Sequence, residues 1–247
     1  MTSVHARTRI KICGLTRETD LEAAVQAGAD AIGFVFYPPS PRHVGVERAA
    51  QLAARLPPFV TPVGLFVNAA VDDIAAACAA IPNLLLQFHG DETPAQCELA
   101  ARPYLRAARM APGFDLLNFA SQYAGLRHAR AVLLDAHVEA YGGAGKVFDW
   151  SLVPPSVPCP VVLSGGLNAA NVTDGVLRLR PWAVDVSSGV EAAKGVKDAV
   201  LMRQFCDAVR EAAKNPDHRK AIMAEWAEAL YSGPGILMFR NAFPDKA

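Results

Sequence analysis

Eight short apolar runs, rich in valine, isoleucine and leucine, alternate along this chain with alanine-rich stretches of helical spacing. A short apolar run suits a strand buried on both faces, and the 3.6-residue period between runs suits a helix that covers one of those faces. Repeated β-α units of this kind build a parallel sheet. The runs fall at Arg9–Cys13, Ala31–Phe36, Pro62–Val67, Leu84–Phe88, Tyr104–Met110, Ala131–Asp135, Val161–Ser164 and Ala183–Val186. Helical spacing covers Arg17–Ala27, Val46–Leu56, Asp72–Ala80, Pro94–Ala101, Asp115–Tyr123, Asn168–Leu179 and Lys197–Ala213. The proline-rich segment Asp149–Val157 leaves the sixth unit a short helix at best.

At about 25 residues per unit, eight units make about 200 residues, the size of a (β/α)8 TIM barrel. A doubly wound open sheet shares the periodicity, which by itself does not report closure. The expected barrel occupies residues 1–213, and residues 214–247 form a C-terminal extension. There Asn215 and Pro216 interrupt the last barrel helix, and Ile222, Met223, Trp226 and Leu230 return with the spacing of an amphipathic helix.

Composition narrows the function. With 247 residues, 52% of them apolar, the chain has material for a substantial core. Its formal net charge is zero and it has no long basic run, which argues against a surface that tracks nucleic-acid phosphates. Any anionic ligand must be held locally. The amino-terminal segment lacks the apolar centre of a secretory signal, and no stretch approaches the ~20 apolar residues of a membrane span, so the expected location is the cytoplasm. The five cysteines, at 13, 78, 97, 159 and 206, are scattered and never form a Cys-x-x-Cys pair. Neither a disulfide framework nor a zinc site follows.

Barrels place their chemistry at the carboxyl ends of the strands. In this chain those ends and the loops after them carry Cys13, Arg42, Asn68, His89, Asp135, Ser164-Gly165-Gly166 and Ser187-Ser188-Gly189. A cysteine is most often a small core residue, but a thiol at a strand end before Gly14 faces the mouth, where it can lose its proton and act as a base. Asp135 closes the apolar run "AVLLDA", where a carboxylate is costly to bury without a partner. It serves either as a local hydrogen-bonding or capping group or as an acid, and with Cys13 it makes an acid-base pair across one mouth. The segments "LSGGLNAANV" and "DVSSGVE" bring glycines to adjacent strand ends, with Asn168 placed to cap a helix; in barrels this corner commonly binds phosphate. Arg42 sits in the proline-rich loop "YPPSPRHV", available to fork a carboxylate or simply to be solvated. The glycine-rich "YGGAGKVFDW" after Asp135 is either a lid or a long connection.

Read together and in order, "KICGLT", "GFVFYPPSPRHV", "VGLFVN", "LQFHGDE", "LLDA" with "GGAGKVFDW", "LSGGLNAANV", and "VDVSSGVE" with "GVKD" resemble the phosphoribosylanthranilate isomerase family of tryptophan biosynthesis, from about Arg9 to Ala213. The resemblance implies an Amadori rearrangement of a small-molecule substrate, N-(5-phosphoribosyl)anthranilate, to 1-(2-carboxyphenylamino)-1-deoxyribulose 5-phosphate, with no metal and no organic cofactor. It implies Asp135 as general acid, Cys13 as general base, Arg42 on the anthranilate carboxylate, and Gly165, Gly166, Ser188 and Gly189 on the phosphate. His89 and Asp185 match motif positions and are expected to line the pocket. Ala144 stands where the family commonly has threonine, which removes a hydroxyl from that loop.

Two other readings remain open. Lys11 shares strand parity with Cys13, as the nucleophile of a Schiff-base aldolase would. A non-catalytic barrel that binds a sugar phosphate would keep the glycine loops and bind without turnover. Oligomeric state is not written in the sequence.

Overall fold

The computed structural model describes residues 7–136 and 147–214. Eight strands, β1 (Arg9–Cys13), β2 (Ala31–Val35), β3 (Thr61–Phe66), β4 (Leu85–Phe88), β5 (Tyr104–Met110), β6 (Ala129–Ala136), β7 (Val161–Leu163) and β8 (Ala183–Val186), pair in parallel, each with the next. β1 also pairs with β8, with Lys11 opposite Asp185, so the sheet closes into a barrel and the open-sheet alternative is removed.

Closure divides the apolar residues of each strand by parity. On β1, Ile10 and Ile12 point outward into the large core shared with the helices, whereas Val63, Leu105, Ala107, Ala131, Leu133, Val162 and Ala183 form a smaller core within the barrel. These runs lack hydrophobic-polar alternation because both faces are dry.

The helices α1 (Glu18–Ala27), α2 (Val46–Ala53), α3 (Val71–Ala80), α4 (Pro94–Leu99), α5 (Leu116–Ser121), α6 (Val172–Leu179) and α7 (Ala199–Lys214) follow, with only a 3-10 turn at Trp150–Leu152 in the sixth unit. Local chemistry sets several of their ends. The α4 start is a reciprocal capping box between Thr93 and Gln96, with Pro94 in the first turn. α1 stops at Gly28, whose φ of 90° suits glycine.

Two helix starts lie two or more residues from those expected from the spacing. α6 begins at Val172, and Asn168 does not cap it: Asn168 N-H donates to Asn171 Oδ1 (2.9 Å) while Asn168 Oδ1 accepts from Ala170 N-H (2.9 Å), a side-chain turn that displaces the helix. Lys197 lies in a strand. After β8, a 3-10 turn (Ser188–Val190) leads into an antiparallel hairpin of β9 (Glu191–Ala193) and β10 (Val196–Lys197), and α7 starts only after Asp198, whose carboxylate accepts from Val200 and Leu201 N-H. Ala144 and the helical spacing at 222–230 lie outside the described residues.

Candidate active site

Strand parity puts positions 11 and 13 of β1, 87 and 89 at the end of β4, 133 and 135 of β6, and 183 and 185 of β8 toward the barrel axis. The upper level therefore holds Cys13, His89 and Asp135. Polar groups one level below support each side.

On the Cys13 side, Lys11 Nζ donates to Asp185 Oδ1 at 2.8 Å, and Ser164 Oγ donates to Asp185 Oδ2 at 3.3 Å. The Lys11 charge also acts on the neighbouring Cys13 thiol. Burial pushes the Cys13 pKa above its ordinary value, while the charges of Lys11 and Lys197 pull it back. Lys11 itself is held above its ordinary value: burial is the largest influence and lowers it, but Asp185 and Cys13 together outweigh burial. A Schiff-base nucleophile must shed that proton, so this pairing argues against the aldolase reading. Asp185 is thus committed beneath the mouth to Lys11 and Ser164.

The thiol has room only because of Gly33, its register partner on β2. A Cβ at Gly33 would lie 2.6 Å from Cys13 Sγ. The sequence reading did not single out this residue; the available signal was a glycine inside an otherwise apolar strand, which marks close backbone approach.

On the Asp135 side, Oδ1 accepts from the Ala136 N-H at 2.9 Å and Oδ2 lies 3.0 Å from His89 Nε2. His89 Nδ1 lies 3.0 Å from Gln87 Nε2. An amide nitrogen only donates, so Nδ1 accepts and the ring hydrogen sits on Nε2, directed at Asp135. Arg106 holds the carbonyls on either side of His89, donating to Phe88 O and to Gly90 O at 3.0 Å each. Asn68 takes no part in this group; its side chain ties to Asp91, and its N-H donates to Glu92 at 2.7 Å.

The glycine loops stand next to these groups. Gly165 and Gly166 have φ of 80° and 64°, and a Cβ at Gly165 would lie 2.5 Å from Ala136 N and 2.9 Å from Asp135 Oδ1. The loop after β7 therefore passes directly over the β6 carboxylate. Gly189, with Ser188 in the 3-10 turn after β8, packs so tightly that a Cβ would meet Leu167 O at 1.9 Å.

Arg42 is buried. Its Nε and Nη2 donate to Glu191 Oε1 and Oε2 at 2.7 and 2.8 Å. The forked contact anticipated for this loop thus engages a carboxylate of the chain itself. Glu191 and its second partner, Lys197 (2.8 Å), were not predicted as site residues, because the hairpin that carries them reads in sequence as loop and helix start. Beside these groups, a cleft of about 390 Å³ between the loops after β2 and β3 is lined by Tyr37, His43, Asn68 and Asp73, but by neither Cys13 nor Asp135.

Comparison with known proteins supplies an independent line. The family model described as "PRAI: N-(5'phosphoribosyl)anthranilate (PRA) isomerase" matches residues 10–208. A protein of Leptothrix cholodnii named N-(5'-phosphoribosyl)anthranilate isomerase is 77% identical over 207 residues, covering 84% of this chain and 93% of that protein. One of the same name from Methylibium petroleiphilum is 75% identical, covering 83% and 95%. The crystal structure of phosphoribosyl anthranilate isomerase from Thermotoga maritima superposes with a TM-score of 0.76 at 39% identity, covering 83% of this chain and 99% of that one. A further structure of such an isomerase, in complex with reduced 1-(o-carboxyphenylamino)-1-deoxyribulose 5-phosphate, superposes with a TM-score of 0.73 at 36% identity, covering 83% and 99%.

Proposed function

Because this chain belongs to the N-(5'-phosphoribosyl)anthranilate isomerase family, an enzyme family of tryptophan biosynthesis, we propose that it rearranges N-(5-phosphoribosyl)anthranilate to the 1-deoxyribulose 5-phosphate with Asp135 as general acid and Cys13 as general base. The observation that carries this assignment is the two-sided support of the mouth, with Lys11–Asp185 behind the thiol and Gln87–His89 behind the carboxyl.

Asp135 gives its proton to the furanose ring oxygen as the C1–O bond breaks, and the nitrogen lone pair forms a C1=N iminium. The cation acidifies the hydrogen at C2. The Cys13 thiolate removes that hydrogen, and the electron pair flows into C1=C2 to give the enolamine, which gains a proton at C1 and loses the one on its C2 hydroxyl to become the ketone. Each positioned proton transfer contributes typically ~10²–10⁴-fold.

The working form has a thiolate and a carboxylic acid, whereas burial favours the thiol. Lys11 and Lys197 stabilise the thiolate. Gln87 serves the other side by holding the His89 ring against Asp135.

Arg42 holds the anthranilate carboxylate, and Gly165, Gly166, Ser188 and Gly189 hold the phosphate. The test follows the loss of anthranilate-type fluorescence on mixing freshly made substrate with the purified protein, without added metal. Turnover should exceed the spontaneous rate, and Cys13→Ala and Asp135→Asn should each lose orders of magnitude while still binding a phosphate analogue. Near-normal turnover in either variant would remove that residue's role. Binding with no turnover in the unmodified protein would leave only the phosphate-sugar binding barrel.

A further inference from the structure

The carboxylate subsite contains three buried charges, although a single arginine would be enough to bind an anion. The side chains of Arg42, Glu191 and Lys197 are 9%, 5% and 0% exposed. A carboxylate already seated on the arginine that must recognise a carboxylate presents a problem: left alone, Glu191 would cancel the Arg42 charge and repel the substrate group.

Two features of the geometry resolve it. A guanidinium has five N-H donors. Glu191 uses the side fork, Nε and Nη2, and among the described residues Nη1 donates to nothing, so the end fork formed by Nη1 and the second Nη2 hydrogen stays available. Lys197 Nζ has three acceptors, Glu191 Oε1 at 2.8 Å, Ser187 O at 2.9 Å and Ser187 Oγ at 3.3 Å, which together satisfy an ammonium group. Its charge offsets that of Glu191, so the trio retains one net positive charge.

The backbone holds the trio in place. Glu191 and Lys197 face each other in register across β9 and β10. The hairpin turn at Gly195, with φ of 77°, packs on the Arg42 loop so closely that a Cβ there would lie 2.8 Å from Pro41 O. On the other side, a Cβ at Gly14 would lie 2.6 Å from Arg42 Cδ. Ser187 Oγ donates to Cys13 O at 3.0 Å, which ties the Lys197 end to the strand of the proposed base.

We propose that Glu191 and Lys197 are positioning residues for substrate recognition: Glu191 clamps the side fork of Arg42, and Lys197 neutralises Glu191, leaving the end fork and one net positive charge for the ring carboxylate. This rests on the reading of Arg42 as the carboxylate site. In a low-dielectric setting a carboxylate responds to the sum of nearby charges as well as to its direct partner.

The discriminating quantity is an affinity ratio. Calorimetry would compare reduced 1-(o-carboxyphenylamino)-1-deoxyribulose 5-phosphate with the same compound lacking the ring carboxyl. Unmodified protein should prefer the carboxylated ligand on the order of 10–100-fold, as a charge-assisted fork implies. Lys197→Met, which leaves the trio neutral, should lose most of that preference while binding the decarboxylated ligand normally. The double variant Glu191→Gln/Lys197→Met restores the net charge and should restore the preference. Glu191→Gln alone should keep it, and this variant with the double one decides the matter if Lys197→Met does not fold. Equal weakening for both ligands in Lys197→Met, or no recovery in the double variant, would overturn the proposal. An unmodified protein that does not distinguish the ligands, or an Arg42→Ala variant with an unchanged ratio, would instead overturn the reading of Arg42.

Discussion

Adding one methyl group at Gly33 tests the proposed base from the opposite strand, without touching sulfur. In Gly33→Ala the new Cβ would stand 2.6 Å from Cys13 Sγ, 2.9 Å from its Cα and 3.1 Å from its Cβ. Relaxed carbon contacts lie at about 3.5–4.0 Å, so the sulfur must retreat by about 1 Å. The clash with Cα requires the strands themselves to separate. They are held together nearby by Gly14 N-H and Leu15 N-H, both donating to Gly33 O at 2.8 and 3.2 Å. Overpacking of this kind costs about 1–3 kcal/mol, which for a chain of this size lowers Tm by roughly 2–12 °C. A 1 Å misplacement of a reacting group costs on the order of 10²-fold in rate. The fluorescence assay should therefore show kcat/KM down about 100-fold, mostly in kcat, because the Arg42 fork and the glycine loops are unchanged. A folded Gly33→Ala protein with kcat/KM within about threefold of the unmodified enzyme would refute the placement of Cys13 as base.

The remaining predictions address other parts of the structure. Gln87→Met removes the donor to His89 Nδ1, so the ¹⁵N shifts of His89 should change from one tautomer to a mixture and kcat should fall about tenfold or more; unchanged shifts would show that Gln87 does not set the tautomer. Gly165→Ala brings a Cβ within 2.9 Å of Asp135 Oδ1 at a φ of 80° and should raise KM and lower kcat together; unchanged kinetics would remove this loop from the site. Burial raises the thiol of Cys206 to about 11 and that of Cys97 to about 12, from an ordinary value of 9.0. The unfolded chain releases these protons first as pH rises, so it binds fewer protons than the folded state, and stability should fall above about pH 9, by about 1 kcal/mol per thiol at pH 10. Urea melts at pH 8 and 10 under reductant should show that loss, smaller in Cys206→Ala; an equal loss in that variant would assign it to other groups.

Much of the architecture was legible because a parallel barrel strand is buried on both faces and its helix on one, and both conditions leave periodic marks. The bounds of β1, β5 and β8 coincide with their apolar runs. Asp135 and Cys13 stood out for a related reason: each is a group able to exchange a proton at the end of a run that is otherwise apolar. Glu191 and Lys197 left no such mark. Their hairpin has strands of three and two residues, too short to show alternation. Gln87 and Gly33 looked like minor interruptions of apolar strands.

By itself, the sequence determined the number and order of the β-α units, and which residues end each strand, since both depend on neighbours along the chain. Only tertiary structure decided closure, because closure is the pairing of β1 with β8 across the length of the barrel. It alone put Lys11 on Asp185, His89 on Asp135, and Arg42 on Glu191, contacts between residues 174, 46 and 149 positions apart. Charges that far apart in sequence acquire defined partners and shifted proton affinities only when the barrel brings them together and excludes water.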